Sequence, residues 1–426
     1  MTKLALHWQI LIAIIVATIA GLVTGTDASL FGVSFYAIYG FVGTLFLNAL
    51  KMIIVPLVAS SIITGIARIG DSNSLGRLGG KTMLFYAASS LLAILVGLAL
   101  VNITTPGIIN GQAAGEQLNL TTDANELAMV VEKVEGKSAS DISDVFLRLV
   151  PTNIIAAAAG GQMLGLIFFS LLFGFFMTRI DKDKSDVMKN FWQGVFDIMM
   201  HITLWVMKFA PLGVFGLVAK TVAATGFAAF SPLLIFFVTV VAALCIHTFI
   251  TMPLLLRFLG RVRPGLFFKK MSPVMLTAFS TSSSSATLPL TLETVEKDIG
   301  VSNKTTSFVL PLGATVNMDG TALYECVAAM FIAQAYGLEL SMVQQFTIVL
   351  VALLTSIGVA GIPAASLVAI TIVLGVIGLP LEGLGLLLVT DRILDMMRTA
   401  VNVCGDCVGT VIIARSEGEQ TRIAAS

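Results

Sequence analysis

Two polar stretches lie inside otherwise apolar sequence and decide what fold this chain can adopt: NMDGT at residues 317–321 and DRILDMMRTAVNVCGD at residues 391–406. A charged side chain at the centre of a bilayer costs about 2.5 to 3.5 kcal/mol on insertion scales. Six polar residues of the second stretch fall within an arc of about 100° on a helix. They are Asp391, Asp395, Arg398, Thr399, Asn402 and Asp406. We therefore expect this polar stripe to face a protected interior and to act there.

The composition around these stretches is that of a protein with many membrane spans. Hydrophobic residues make up 57% and charged residues 12% of the 426 residues, and the mean hydropathy is +0.96. A soluble domain with such a surface would precipitate. The formal net charge is zero, so the composition gives no reason to expect a nucleic-acid or acidic protein partner.

The apolar segments alternate with loops of contrasting charge. Six segments precede the polar stretches, at about 10–25, 41–66, 84–101, 163–177, 196–217 and 233–258. Lys and Arg follow the second, fourth and sixth of these, whereas the loop 26–36 contains neither. We therefore expect a multi-pass protein of the cell's inner (plasma) membrane. The positive-inside rule places its N-terminus in the cytoplasm. The long polar loop from about Thr104 to Arg148 is expected outside. The first apolar run lacks a signal-peptide cleavage site and is predicted to be the first span.

Two later apolar regions are interrupted in the middle. Small and polar residues at Ser280–Pro289 break one region, and a Gly- and Pro-containing run at Ser356–Ser366 breaks the other. The flanking arms are short for a bilayer about 30 Å thick, which predicts two re-entrant hairpins with tips at mid-membrane. Two ordinary kinked helices are the alternative. Paired interruptions of this kind indicate the inverted repeats and central binding site of a transporter, so function should concentrate between Met271 and Arg415.

The first polar span has a spacing that a regular helix does not explain. Oxygen-bearing and small residues recur at every second position, namely Gly313, Thr315, Asn317, Asp319 and Thr321. Local unwinding around residues 317–320 would let their side chains and freed carbonyls converge. Hard cations such as Na⁺ prefer such oxygen ligands. A helix kink that merely satisfies its own backbone is the alternative, and it explains Thr315 better than it explains Asp319.

At these residues the chain resembles the dicarboxylate/amino acid:cation symporters, which include glutamate and aspartate transporters and the eukaryotic excitatory amino acid transporters. The resemblance rests on Ser283–Ser285, Asn317–Thr321 and Asp395–Asp406, which occur in this order together with both hairpins. It implies the all-α glutamate-transporter fold, with eight transmembrane helices, two re-entrant helical hairpins and inverted repeats. It also implies a homotrimer in the lipid bilayer.

The resemblance further implies a division into a scaffold and a mobile transport domain, which carries the substrate across the bilayer by an elevator-type motion. The expected boundaries are scaffold helices in 1–80, the third span of the transport domain and the external loop in 81–148, scaffold helices and the sixth span in 149–258, the transport core in 259–415, and a cytoplasmic tail in 416–426.

The implied function is import of glutamate or aspartate together with Na⁺. Arg398 would hold the side-chain carboxylate of the substrate, Asp395 its amino group, and Thr399 and Asn402 its backbone carboxylate. Ser284, Thr321 and Ile362 would complete the substrate site. The chemistry is consistent, because the guanidinium fork matches a carboxylate, whereas Asp accepts from an ammonium group.

Three cation sites are implied by the same resemblance. The first comprises Gly313, Asn317, Asn402 and Asp406. The second comprises Thr315 with carbonyls of the second hairpin near Ser356, Ile357 and Val359. The third comprises Tyr86, Ser89, Ser90, Asn317 and Asp319. Outside the resemblance, Tyr86 and the two serines would be weak evidence, because hydroxyls in membrane helices often bond to their own backbone.

Three positions depart from the related transporters. Archaeal members have Arg where Ser282 stands, and eukaryotic members have Arg where Met396 stands. Glu325 replaces the Gln of archaeal members. Burial disfavours the charged form of a carboxyl group, so Glu325 could carry a coupled H⁺. A structural hydrogen-bond donor is an equal alternative.

Other functions remain open at this stage. A C4-dicarboxylate carrier would have no ammonium for Asp395, and a neutral amino acid carrier would have no use for Arg398. Cys404 and Cys407 have the spacing of a redox or metal pair, but buried thiols are more often small packing residues. The hairpin tips argue against an ion channel, and no nucleophile or metal site next to the acids suggests an enzyme such as a hydrolase.

Overall fold

The computed structural model describes residues 6–69, 75–115, 147, 150–159, 163–226, 230–356, 365–379 and 384–424, and these residues are mostly helical. The helices are α1 (Leu6–Thr24), α2 (Phe35–Ile69), α3 (Leu75–Thr104), α4 (Ile154–Ala159), α5 (Met163–Met177), α6 (Lys182–Met207), α7 (Ala210–Thr225), α8 (Phe230–Ile246), α9 (Met252–Phe258), α10 (Pro264–Thr281), α11 (Ser284–Thr294), α12 (Asn303–Val316), α13 (Asp319–Ala335), α14 (Met342–Ser356), α15 (Ala365–Ile377) and α16 (Leu384–Ser416). Single π-helical turns occupy His247–Thr251 and Val295–Ile299.

The all-α prediction needs one small amendment, because two connections contain antiparallel β-hairpins. Strand β1 (Ser29–Leu30) pairs with β2 (Val33–Ser34), with Leu30 opposite Val33. Strand β3 (Ile108–Ile109) pairs with β4 (Gln112–Ala113). Gly32 and Gly111 adopt positive φ in the turns, a conformation that glycine adopts without strain. Each hairpin has strands of only two residues, and Ile109 of β3 packs against the large cluster of buried apolar side chains.

Several helices have the length and apolar composition of membrane spans. Within the residues listed above, three qualify outright: Arg77–Thr104, Ser231–Phe258 and Thr390–Ser416. A bent pair, Lys182–Val206 with Ala210–Ala224, qualifies as a fourth. Further apolar segments are shorter, among them Gly165–Met177 and Met342–Ser356. These findings support a multi-pass membrane protein, and the total of eight spans stays a prediction.

The fifth predicted apolar segment, 196–217, is divided between two helices. The structure places α6 and α7 there, bent by 53° at the junction Lys208–Phe209. Pro211 lies in the first turn of α7, where a missing N–H costs little, so the sequence favours a new helix start at this point. The sixth segment, by contrast, agrees closely with the continuous run of α8, the π-helical turn and α9.

The buried apolar side chains form one large cluster and three small ones in the described residues. The large cluster joins α3, α8 and the helices from α9 to α16, and it also takes in parts of α2 and α5. A small cluster joins α1, α2 and α7 around Tyr39 and Val218. Helix α13 is at the centre of the large cluster, since all seventeen of its residues are buried. Helix α16 packs along α10, α12 and α13.

The first predicted interruption forms a helix–turn–helix with a narrower break than expected, and its re-entry into the membrane stays a prediction. Helices α10 and α11 pack against each other, and the chain between them reverses at Ser282 and Ser283. Ser282 is left-handed at φ 49°, and the Ser283 hydroxyl caps α11 by accepting from the Ala286 N–H at 3.2 Å. Helices α14 and α15 likewise pack together, and the tip between them lies outside the described residues.

The C-terminal segment 417–424 is folded against the core, whereas the sequence suggested only a tail. The Arg422 N–H donates to the Ile299 carbonyl at 2.8 Å, and the Arg263 N–H donates to the Ile423 carbonyl at 2.9 Å. Neighbouring residues of the segment thus bind the beginning of α10 and the end of the π-turn after α11. Both outer ends of the first hairpin therefore lie side by side, as a hairpin requires.

Candidate functional site

The site begins at the break between α12 and α13. Asn317 and Met318 have extended or irregular backbone, and Asp319 already belongs to the first turn of α13. The predicted unwinding is therefore confirmed but is confined to two residues. A negative side chain at a helix N-terminus interacts favourably with the helix dipole. The break places Asn317 and Asp319 on different sides of the junction, where each meets a different partner helix.

Asp319 meets α3. Its carboxylate accepts hydrogen bonds from the hydroxyls of Ser89 and Ser90, the latter at 2.7 Å. All three residues are buried, so the structure brings together three residues of the third predicted cation site. Tyr86, a fourth member, instead donates its hydroxyl to the Val309 carbonyl of α12 at 3.0 Å.

His247 is a neighbour of Asp319 that the sequence analysis missed. Its Nε2 lies 3.4 Å from Asp319 Oδ2, and its side chain is completely buried. It begins the π-helical turn, a feature that is frequent at functional sites. The signal in the sequence was slight: a lone histidine in the sixth apolar run, among three in the chain.

Asp406, on α16, is at the centre of a second cluster of oxygen-bearing side chains. The first cluster is Asp319 with Ser89 and Ser90. Asp406 Oδ1 accepts from the Asn317 amide nitrogen at 2.9 Å. A Cβ atom on Gly313 would lie 2.5 Å from both Asp406 Oδ1 and the Tyr86 hydroxyl, so this position requires glycine. The Asn317 side-chain oxygen is buried without a hydrogen-bond partner among the described residues. Gly313, Asn317 and Asp406 of the first predicted cation site therefore converge.

Asn402 makes a separate set of contacts. Its Oδ1 accepts from the Gly320 N–H at 2.8 Å, and its amide nitrogen donates to the Thr321 hydroxyl at 3.1 Å. Gly320 is tightly packed against α16, since a Cβ there would lie 2.8 Å from the Arg398 carbonyl. Asn402 thus joins the N-terminus of α13 to α16 and brings Thr321 next to the polar stripe.

Arg398 lies at the centre of a buried charge cluster. Its Nη2 donates to Asp391 Oδ1 at 3.0 Å and to Asp395 Oδ1 at 3.1 Å. Its Cζ lies 3.9 Å from the centroid of the Tyr324 ring, a cation–π contact. Arg398 Nε and Nη1 are buried and have no hydrogen-bond partner in the described part of the chain. One guanidinium nitrogen, Nη2, therefore makes both carboxylate bonds, whereas the N–H groups of Nε and Nη1 are unpaired among the described residues.

The other predicted substrate contacts lie around this cluster. The Thr399 hydroxyl donates to the Asp395 carbonyl at 2.8 Å, so in this structure it is bonded within its own helix. Ser284 is buried at the start of α11. Tyr324 was not among the predicted site residues, because its role as the face beneath Arg398 depends on how α13 crosses α16.

Three predicted residues lie outside the described part of the chain: Ile357, Val359 and Ile362. The Thr315 side chain is also not described, although its backbone belongs to α12. Ser356 ends α14, where its hydroxyl donates to the Leu353 carbonyl at 2.8 Å. The second predicted cation site therefore stays a prediction.

Glu325 is completely buried on α13 and contacts the second hairpin. Its Oε2 accepts from the Thr355 hydroxyl of α14 at 2.6 Å. The other carboxyl oxygen, Oε1, has no hydrogen-bond partner among the described residues. A buried carboxylate without a cationic partner is costly, whereas the hydrogen bond from the Thr355 hydroxyl by itself stabilises the carboxylate.

Comparison with known proteins places this sequence in a defined family. The sequence matches the sodium:dicarboxylate symporter family over residues 6–416. Over 420 residues it is 36% identical to the proton/sodium-glutamate symport protein of Bacillus caldotenax, covering 98% of this chain and 96% of the relative.

Two further relatives cover a similar share of the chain. The proton/glutamate-aspartate symporter of Escherichia coli strain K12 is 36% identical over 417 residues, which are 97% of this chain and 93% of the relative. Excitatory amino acid transporter 3 of Mus musculus is 33% identical over 462 aligned residues, covering 96% of this chain and 85% of the relative.

Proposed function

This chain belongs to the sodium:dicarboxylate symporter family, and from that premise we propose that it is a secondary active symporter that imports glutamate and aspartate with Na⁺ and H⁺. The observation that carries the proposal is the buried Arg398 between Asp391 and Asp395. Its Nε and Nη1 are available to a substrate carboxylate, and the neighbouring Asp395 is suited to the ammonium group.

The two oxygen clusters support coupling to Na⁺. Asp319 and Asp406 are both buried, and their observed partners are hydroxyls, an amide and an imidazole. Burying a carboxylate without a cation is costly, and a bound Na⁺ would supply the missing charge. Oxygen donors from Ser89, Ser90 and the Asn317 side chain suit such a hard cation.

Glu325 is the residue that we propose for proton coupling. It is buried between α13 and α14, with a hydroxyl donor on one oxygen. In the protonated form the carboxyl group becomes a hydrogen-bond donor as well as an acceptor. Because Thr355 belongs to the second hairpin, the protonation state of Glu325 can influence how the hairpin packs against α13.

The separate hydrophobic clusters support an elevator-type motion. Helices α1, α2 and α7 share a small cluster, whereas α3 and the helices from α8 onwards share the large one, to which α2 and α5 also contribute residues. We propose that the first group belongs to a scaffold in a homotrimer and the second to the mobile transport domain. The proposed orientation has the N-terminus in the cytoplasm, by the charge of the loops.

Competition for uptake tests the substrate assignment. Purified protein in liposomes would be assayed for uptake of labelled L-glutamate and L-aspartate with an inward Na⁺ gradient. Each amino acid should compete far better than succinate or malate, because only the amino acids offer an ammonium group to Asp395. Equal competition by succinate would place the protein among the C4-dicarboxylate carriers of the family.

A further inference from the structure

Asp395 is held by two arginines, of which only Arg398 was predicted to take part. Arg392 Nη1 donates to Asp395 Oδ2 at 3.3 Å, while Arg398 Nη2 donates to Asp395 Oδ1 at 3.1 Å. The Arg392 side chain is only 9% exposed, and its Nε has no hydrogen-bond partner in the ranges that the structure describes. Both oxygens of Asp395 thus face a guanidinium group.

The position of Arg392 explains why it is inside. It comes three residues before Asp395 on α16, and at about 100° per residue it lies at the edge of the polar stripe. A buried guanidinium is costly unless it is paired, so the contact with Asp395 is what keeps it there. Asp391, Asp395, Arg392 and Arg398 together have a formal charge of zero.

This arrangement has a consequence for the amino-group subsite. An amino acid substrate must place its ammonium at Asp395, where Arg392 already occupies Oδ2. A dicarboxylate without an amino group has no cation to place there. When Arg392 is present, its positive charge neutralises Asp395 beside such a ligand. Without Arg392, the negative charge of Asp395 would be less compensated and would repel the carboxylates of the ligand.

We propose that Arg392 is a specificity-determining residue that occupies the ammonium subsite on Asp395 and gives it up to a substrate ammonium. This inference rests on the proposed function, because it assumes that Asp395 binds the substrate amino group. Arg392 weakens the binding of amino acids, because it competes with their ammonium group for Asp395. It also reduces the electrostatic repulsion between Asp395 and ligands that lack the amino group. It therefore narrows the discrimination between an amino acid and the corresponding dicarboxylate.

The test compares L-aspartate with succinate, which has the same four-carbon dicarboxylate skeleton without the amino group. Inhibition constants for both would be measured against labelled L-aspartate uptake in proteoliposomes of wild type, R392Q and R392K. The ratio of the succinate inhibition constant to the aspartate inhibition constant should rise about tenfold in R392Q. Without the Arg392 cation, the Asp395 carboxylate would repel the succinate carboxylates but would still attract the aspartate ammonium. R392K should stay near wild type, since it keeps the charge.

A matched control is Arg179, whose guanidinium lies 5.1 Å from the Phe175 ring, away from the charge cluster. R179Q should leave the ratio unchanged. If R392Q weakens both ligands equally, Arg392 is a structural residue and the proposal fails. A different result, in which wild type binds neither glutamate nor aspartate, would instead overturn the proposed function.

A second pair of variants keeps the proposal testable if R392Q does not fold. The double variant R392Q/D395N removes one positive and one negative charge. Its ratio of the succinate to the aspartate inhibition constant would be compared with that of D395N alone. Because Arg392 acts through Asp395, the two should have the same aspartate-to-succinate discrimination. A further rise in the double variant would show that Arg392 acts on the ligand by another route and would contradict the proposal.

Discussion

At the scale of single residues, Arg398 illustrates how a membrane interior can hold a charge. Its side chain is 1% exposed, and its cost of burial is offset by Asp391, Asp395 and the Tyr324 ring. Removing one partner of such a cluster is more damaging than removing all of it, because the remaining charges stay buried. Arg398→Ala would leave two neighbouring carboxylates without their shared cation.

We expect Arg398→Ala to weaken binding of L-glutamate and L-aspartate by about a hundredfold or more, since breaking a buried pair typically costs about 3 to 5 kcal/mol. Competition by neutral amino acids should be less affected, because they lack the side-chain carboxylate. Competition assays in proteoliposomes check both statements. Unchanged affinity for the acidic amino acids would exclude Arg398 as their carboxylate partner.

Glu325→Gln should retain Na⁺-driven exchange and lose the response of net uptake to a pH gradient, because glutamine mimics a permanently protonated carboxyl. The matched control is Thr355→Val, which removes the hydroxyl that donates to Glu325 but keeps the carboxyl. That variant should still respond to pH. If wild type and Glu325→Gln respond identically to an imposed pH gradient, Glu325 is only a structural hydrogen-bonding residue.

The sequence predicted the residues of the stripe well and their neighbours poorly. Asp395, Arg398, Asn402 and Asp406 could be found because helical periodicity is local, and the structure places all four in buried polar contacts. His247 and Tyr324 were missed, because nothing local indicates that α8 brings an imidazole to Asp319 or that α13 places a ring beneath Arg398.

At the scale of elements, the close packing of α12 against α16 and α3 depends on Gly313. A methyl group there would overlap Asp406 and Tyr86, two residues that adjoin the same oxygen cluster. In an open helix, alanine would be the more stable choice, because glycine loses more conformational entropy on folding. Glycine at this position therefore reflects contact and not flexibility.

We expect Gly313→Ala to lower the apparent Na⁺ affinity several-fold, because the added Cβ must displace Asp406 or Tyr86 by a few tenths of an ångström or more. Gly80→Ala on α3 is the control, since nothing lies within 4 Å of a Cβ at that position. The Na⁺ dependence of uptake measures the effect. Equal Na⁺ affinities in the two variants would show that the cluster tolerates repacking.

The C-terminal segment 417–424 is the second element with a testable role. Glu417 pairs with Lys81 and Arg77 of α3, and the Glu419 carboxylate accepts from the Ser302 N–H at 2.8 Å and from the Ser302 and Thr305 hydroxyls. These contacts join α3, α12 and the end of α16. The hydrogen bonds from Lys81 and Arg77 lower the pKa of Glu417. Partial burial acts to raise the pKa of Glu419, but the hydrogen bonds from Thr305 and Ser302 outweigh the effect of burial, so the pKa of Glu419 is lowered.

A carboxyl group whose pKa is lower in the folded state than the ordinary value of 4.5 stabilises the folded protein above pH 4.5. This stabilisation is lost as the pH falls through the lowered pKa. Glu419→Gln should therefore lower the thermal unfolding temperature at neutral pH, and the difference from wild type should shrink below about pH 4.5. The exposed Glu339 provides a control, as Glu339→Gln should have little effect. A deficit that is independent of pH would mean that the charge of Glu419 is unimportant.

Sequence periodicity predicted elements better where the chain is regular than where it turns. The segment 163–177 matches α5, whereas the fifth segment concealed the bend before α7. The break at residues 317–318 was anticipated, since alternating small and polar residues do not fit one helix face. The docking of the C-terminal segment was not, because it depends on carbonyls at the ends of distant helices.

At the scale of the whole molecule, the buried apolar side chains of the described residues divide into one large cluster and three small ones. The residues that we propose for substrate and cation binding are on α3, α11, α12, α13 and α16, within or beside the large hydrophobic cluster. Gly21, Gly213 and Gly216 allow α1, α2 and α7 to pack closely against one another.

The central claim, Na⁺-coupled import of acidic amino acids, is tested most directly by uptake into proteoliposomes under separately imposed gradients. L-aspartate uptake should be concentrative with an inward Na⁺ gradient, should be increased by an inward H⁺ gradient, and should be absent without Na⁺. Concentrative uptake driven by a proton gradient alone in Na⁺-free medium would contradict the account, because Asp319 and Asp406 would then serve structure or proton transfer.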